Sequence, residues 1–272
     1  QRRRRVTNAV AGGVLRIATI ASVVVSLFYL CWGLNYALPP LPARLGWPPV
    51  ERPEDGAANR RLVEELGTLT RQPVEATNVN YLQFAGRDDL EHPSLRPDGS
   101  AGLDAVLESA YARVPQRLGI DAEFAAARGR AKPVAASALM NYLGLTGFYF
   151  PWTGEANYNR LEPAPGLPHT MAHEKAHQRG IAREDEANFI GYLVCIMSDD
   201  PYARYSGYLF AQRQLLGELG VRNAAGARAL AGLRLKGVQR DVDFIRAFWR
   251  QYEGAASRVS ETVNNTYLRS QG

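Results

Sequence analysis

The chain is poor in cysteine: of its 272 residues only Cys31 and Cys195 carry a thiol. Two thiols so far apart exclude a disulfide framework and a four-cysteine zinc site. Internal repeats and long low-complexity tracts are also missing, which excludes solenoid and low-complexity architectures. A hydrophobic content of 46% with 22% charged residues is that of a folded protein, long enough for one good-sized domain or two small ones. Net charge is scarce once it is located. The formal +5 is accounted for by Arg2, Arg3, Arg4, Arg5 and Arg16, and the remainder of the chain is formally neutral. A nucleic-acid partner is therefore not expected. The first residue is Gln1 and not Met, from which a longer parent chain is expected.

Charge is absent altogether from Ile17 to Ala43, and the stretch Ile17 to Leu38 is built from Ile, Val, Leu, Ala and aromatics. About 20 apolar residues at helical rise span a bilayer. A cleaved signal peptide has a shorter apolar stretch and a small-residue cleavage site. Here the run is longer and ends in Tyr29, Trp32 and Tyr36, residue types that favour the membrane interface. The reading is a transmembrane helix over 17–38 preceded by a basic cytoplasmic segment, 1–16. By the positive-inside rule the bulk of the chain then lies outside the cytoplasm, periplasmic and held at the inner (cell) membrane.

Six prolines between Pro39 and Pro53 predict a stiff, extended linker over 39–56. The rest, 57–272, reads as one extracytoplasmic domain. Leu62, Leu66 and Leu69 mark a helix from Ala57 to Gln72, and 73–100, rich in Pro, Gly, Asn and Asp, reads as loop. Leu103 to Leu118 is helical again. GFYFPW, around Phe148, predicts a short strand entering a turn. Further helices are expected over 169–179, 184–199, 202–219 and 238–268, the last with a break near Gly254. The apolar run Phe189 to Met197 is too short to cross a bilayer and reads as a buried core helix.

Three of the four histidines stand in HTMAHEKAHQRG, His169 to Gly180. Within it His173-Glu174-Lys175-Ala176-His177 is an HExxH pattern. On a helix, histidines four apart share a face, so both imidazoles can reach one metal ion, and Glu174 is placed to serve as general base without being a ligand. The bland alternative is an exposed amphipathic helix with incidental histidines. Met171, Ala172, Ala176 and Ile181 argue instead for burial, where unpaired His and Glu are costly. Gly180 can adopt the left-handed conformation that ends the helix. Glu184 then opens the next helix and shares a face with Asn188, which makes it the leading third ligand, with Glu186 in reserve and Asp185 after it. His169 lies about 12 Å along the helix from His177, too far to share an ion, and is expected to cap the helix or line a cleft. Two His and a carboxylate favour Zn2+.

HExxH followed by Glu184-x-x-Ala187-Asn188 resembles the glutamate-ligand zinc metallopeptidases, the gluzincins. The gap from His177 to Glu184 is shorter than in most of them, and a metzincin pattern would put its third ligand on Arg183, which cannot bind zinc. The wider chain is similar to an uncharacterised bacterial family of membrane-anchored, zincin-like proteins, through WGLNY at 32–36, GFYFPWTGEANYN at 147–159, the run 167–189, YSGY at 205–208 and NNTYL near the end. Members of that family carry further membrane helices upstream. The resemblance implies an α+β fold, mostly helical, with a zincin-like core and a small sheet. It also implies an edge strand ahead of the HExxH helix on which an extended peptide could lie. Glu155, Asn157 and Asn159 alternate as such a strand would present them, or form a polar turn. Tyr205, Arg204 and Tyr158 are candidate oxyanion donors, or packing residues. The function expected is a membrane-anchored metallopeptidase acting on a peptide or protein substrate. The alternative is a non-catalytic zinc-binding sensor or scaffold at the membrane.

Overall fold

The basic and apolar N-terminal residues form one helix, α1 (Arg2–Cys31), in which Gly12–Cys31 is long and apolar enough to cross a membrane and is packed against almost nothing. By length and composition alone, such a helix fits a membrane anchor or a signal sequence. The computed structural model describes residues 2–49, 56–88 and 91–254 together with Thr262 and Thr266, and for residues 2–11 the backbone alone.

The helix stops at Cys31, short of the Leu38 end that the apolar run predicts. Residues 33–37 form a 3-10 turn, with Trp32 and Gly33 buried. The chain leaves the helix because Trp32 is taken into the protein, its ring centroid 4.6 Å from that of Tyr149. Nor is the proline-rich leader a free spacer over its first residues. It contains a short helix, α2 (Leu41–Arg44), and Leu41 is buried in the main core with its N–H donated to Glu186 Oε1 at 2.6 Å.

The next helix, α3 (Gly56–Ala85), runs well past the expected stop at Gln72 and contains Pro73. A proline inside a helix costs about 3 kcal/mol through a lost hydrogen bond and a ring clash. Burial of Pro73, Val74, Thr77 and Tyr81 along one face, packed against α9 (Pro201–Arg222), offsets that cost. The predicted helix 103–118 is divided into α4 (Leu103–Tyr111) and α5 (Val114–Leu118).

Three short strands form the only sheet among the described residues: β1 (Lys132–Pro133), β2 (Gly147–Phe150) and β3 (Glu155–Tyr158). A helix, α6 (Ser137–Leu143), links the first two. β2 and β3 are an antiparallel hairpin with Gly147 opposite Tyr158 and Phe150 opposite Glu155, and β1 pairs parallel to β3. The order is β1-β3-β2, so β3 is the middle strand. The edge expected on Glu155, Asn157 and Asn159 is taken up by β1, and the open edge of the hairpin is β2.

Below the sheet lie α7 (Leu167–His177) and α8 (Glu184–Ile196). Gly180, at φ +84°, makes the reversal between them, as its position predicts. The acids Glu184, Asp185 and Glu186 fill the first turn of α8, where the helix dipole favours negative charge. Met171, Ala172 and Ala176 from α7, Ala187, Ile190 and Val194 from α8, and Leu103, Leu107 and Tyr111 from α4 make the main core. A second core joins Tyr81, Tyr205 and Leu209 to Val238, Val242 and Ile245 of α11 (Lys236–Arg250), which follows α10 (Ala224–Ala231). The C-terminal part of the predicted 238–268 helix, with NNTYL, lies outside the described residues but for Thr262 and Thr266. The chain is thus mostly helical with a small mixed sheet.

Candidate metal centre

His173 and His177 stand one turn apart on the face of α7 turned toward α8, and Glu184 meets them from the first turn of α8. Nε2 of His173 is 3.1 Å from Nε2 of His177 and 3.2 Å from Glu184 Oε2, while His177 Nε2 is 3.6 Å from Glu184 Oε1. One ligand atom from each of the three residues falls within 4.8 Å of the other two. The opposite edge of each imidazole is occupied. His173 Nδ1 lies 3.0 Å from Asn188 Oδ1 and His177 Nδ1 lies 2.6 Å from the Ile181 carbonyl. Both partners accept only, which assigns a proton to each Nδ1 and turns each Nε2 toward the centre, where it offers a lone pair whenever it carries no proton. Two imidazole nitrogens and a carboxylate, oriented by outer hydrogen bonds, fit a zinc ion with an open position.

Charge is distributed unevenly over this cluster. Burial works against a charged His173, yet its hydrogen bond to Glu184 and the field of Glu174 raise its pKa. At His177 burial, followed by the field of His173, pushes the imidazole down to about 4. Burial opposes ionisation of Glu184, but the two histidines hold its carboxyl below the usual value. The anionic carboxylate thus stands beside one neutral imidazole and one that readily carries a proton. A metal ion would displace that proton.

Glu174 is not part of the triad. Its carboxyl is buried beside it, with Oε2 lacking any hydrogen-bond partner. Burial pushes its pKa up to about 8, His173 opposing and Glu184 reinforcing the rise. Gly147, the first residue of β2, is what makes room for it: a Cβ there would sit 2.6 Å from Glu174 Oε1 and 2.8 Å from the Asn157 carbonyl. Gly191 has the same role between the helices, since a Cβ on it would lie 3.1 Å from the His173 nitrogen and 3.3 Å from His169 Nε2. These two glycines let β2 and α8 approach α7 closely.

The far face of α7 is anchored by charge. Lys175 is fully buried, donating to Asp104 Oδ1 (2.9 Å) and the Gly129 carbonyl (3.0 Å) and pairing with Glu108 Oε1 at 2.7 Å. Arg179 pairs with Glu108 Oε2 at 2.7 Å and lies 3.8 Å above the Tyr111 ring. Sequence reasoning passed over this network, although Lys175/Arg179 and Asp104/Glu108 each repeat at helical spacing of four. Removing one partner from such a network strands a buried charge.

His169 does not join the triad. Its ring is stacked on Phe210 at 3.6 Å and Nε2 lies 3.3 Å from the Asn188 carbonyl, so it lines the cleft. Burial, then the nearby His173, pushes it down to about 3, so it stays neutral. The reserve ligand Glu186 is turned away from the site, bound to the Leu41 N–H. Asp185 accepts from the Glu186 N–H.

The candidate oxyanion and substrate residues are placed elsewhere. Tyr205 is buried in the second core, its hydroxyl donated to Asp241 Oδ2 at 2.5 Å, because its helix face packs on Tyr81. Arg204 bonds to Asn80, Gln83 and the Ser198 carbonyl. Tyr158 is buried in the main core. Glu155 pairs with Lys132, and the Asn157 amide donates to the Glu155 carbonyl at 3.0 Å. The walls of the site are instead Trp32 and Tyr149, with ring centroids 5.7 Å and 6.5 Å from that of His177. Aromatic clustering in WGLNY and GFYFPW was the signal that could have found them.

The triad and Glu174 line a cleft of about 1190 Å³. One end carries Phe28, Trp32, Phe150 and Trp152, and the other Arg213, Arg228, Arg234 and Arg246. No curated protein and no solved structure matches the chain. The family match indicates no zincin or metallopeptidase family. Over residues 1–272, its whole length, the chain belongs to the family described as Protein of unknown function (DUF3810).

Proposed function

We propose that the protein is a membrane-anchored zinc metallopeptidase with a zincin-like core, its bulk on the extracytoplasmic side. The observation that carries this reading is the convergence of His173, His177 and Glu184 with both Nδ1 edges already engaged, next to a buried Glu174 whose Oε2 has no hydrogen-bond partner. A zinc ion held by the three residues would supply Lewis acidity to a carbonyl and acidify a water molecule. Glu174 would take the proton from that water at one carboxylate oxygen and deliver it to the leaving amine. Its buried setting suits both steps, because a carboxyl with a pKa near 8 holds a proton firmly once it has accepted one. Asn188 and the Ile181 carbonyl fix the two imidazoles, and Trp32 and Tyr149 shield His177 from water. The open edge of β2, beside Glu174, is the available main-chain surface for an extended peptide. The apolar stretch of α1 and the arginines in its first turns support the anchor and its orientation.

A purely structural zinc site would be closed by four protein ligands and would have no use for a buried, unpaired carboxyl beside it. Metal analysis and turnover of a peptide pool test the reading together. Zinc should co-purify with the wild type, be lost in His177→Ala and remain in Glu174→Gln, while cleavage disappears in both. Full metal in His177→Ala, or equal cleavage by Glu174→Gln, would refute it.

A further inference from the structure

The arginine end of the cleft is built from four consecutive pieces of chain. Arg213 comes from α9, Arg234 from the turn before α11, and Arg246 from α11, with Arg228 of α10 beside them. These charges stand out in a chain that is formally neutral beyond Arg16. Among the described residues the acids whose fields reach them are Glu162 and Asp243. Arg213 has no hydrogen bond and no ion pair among the described residues, and Glu162, whose field it feels, is pushed up to about 8 by burial, so it is a weak counter-charge. Arg246 has an ion pair only with Asp243, at 3.2 Å, and both side chains are more than half exposed, so the pair is weak.

Arg234 is oriented by neutral groups. Its Nε donates to Gln212 Oε1 at 2.7 Å and one terminal nitrogen to Gln239 Oε1 at 3.0 Å. Gln212 is itself fully buried and donates to Thr77 Oγ1 at 2.8 Å, so the guanidinium rests on a fixed chain running back to α3. This holds the planar fork in place without supplying a counter-charge. Arg213 and Arg246 are exposed at the cleft and Arg234 is half-buried; partial desolvation, followed by the field of Arg246, lowers the pKa of Arg213 and Arg234 from their usual range. Like charges gathered in a partly buried cleft repel, and an anion entering between them relieves the repulsion. Guanidinium forks match carboxylate and phosphate oxygens two at a time.

We infer that Arg213, Arg234 and Arg246 form an anion-binding subsite, which takes a carboxylate or phosphate group of the molecule handled at the His173–Glu184 end of the same cleft. The subsite does not need the metal; only its part in placing a substrate rests on the metallopeptidase reading.

The test uses the full chain in detergent micelles, stripped of metal with a chelator so that no probe binds an ion. Inorganic phosphate and N-acetyl-trialanine are titrated calorimetrically, with the trialanine amide as the uncharged control. Saturable binding of phosphate or of the free-acid peptide is expected in the wild type and in His177→Ala. It should weaken at least tenfold in Arg213→Gln and in Arg246→Gln, whose side chains hold no core contact, and fall with added salt. Whichever probe binds identifies the source of the anion. Binding of neither probe, equal binding of the amide, or undiminished binding in the Arg213→Gln/Arg246→Gln double variant would overturn the subsite. Because binding is read without metal and zinc content is read separately, loss of the metal reading would leave this result interpretable.

Discussion

The side-chain oxygen of Asn188 accepts a hydrogen bond from Nδ1 of His173 at 3.0 Å, four residues along α8 from the carboxylate that meets the other edge of the same ring. One helix face thus supplies both the candidate ligand and the group that orients its neighbour. Outer partners of this kind are worth roughly 10–100-fold in metal affinity. Asn188→Ala should weaken zinc binding within that range in a competition titration against a chelator, and Asn188→Asp, which keeps the acceptor, should not. Equal affinity in wild type and Asn188→Ala would remove the orienting role.

Gly147 predicts a separation of metal binding from turnover. An added Cβ meets Glu174 on one side and the Asn157 backbone on the other, and only the Glu174 side chain can move. Displacement by about 1 Å can cost on the order of 100-fold in rate. Gly147→Ala should therefore retain zinc while cleavage of a peptide pool drops by about that factor. Loss of zinc with unchanged thermal stability would show that the clash falls on the triad instead.

Gly191 predicts the reverse. Alanine there must push α8 away from α7 at the level of His173, with an overpacking cost of about 1–3 kcal/mol. Zinc affinity should fall along with the melting temperature, and a variant with normal affinity would mean that the helices absorb the methyl group elsewhere.

Lys175 carries the largest stability prediction. Lys175→Met leaves Asp104 and Glu108 buried without their ammonium partner, which for a broken buried network costs about 3–5 kcal/mol. Denaturant unfolding of the metal-free protein should show that loss. The double variant Lys175→Met/Asp104→Leu should recover part of it, because fewer unpaired charges then remain. A change below about 1 kcal/mol in the single variant would show that water reaches this network.

Several of these features were legible in the sequence. Spacing alone puts His173 and His177 on one helix face, Gly180 at the reversal, and Glu184 with Asn188 on a face that Glu186 does not share. Each is a local property, set by 3.6 residues per turn and by the freedom of glycine at positive φ. The apolar run is equally local, since length and composition make it a candidate span whatever surrounds it.

Other assignments depended on which surfaces the core would cover. Tyr205 and Tyr158 are polar-tipped aromatics near the motif, and only the packing of α9 on α3, and of β3 on the main core, turns their hydroxyls away from the cleft. Pro73 continues a helix because burial along α3 outweighs a local penalty. β3 is central because residues 132–133, which carry no strand pattern, pair with it. The arginine end of the cleft joins side chains from three helices and a turn that no single period connects. Local spacing by itself determined the face that carries His173 and His177; tertiary structure alone decided what faces it, because long-range burial, summed over many contacts, chooses which polar groups are left looking into the cleft.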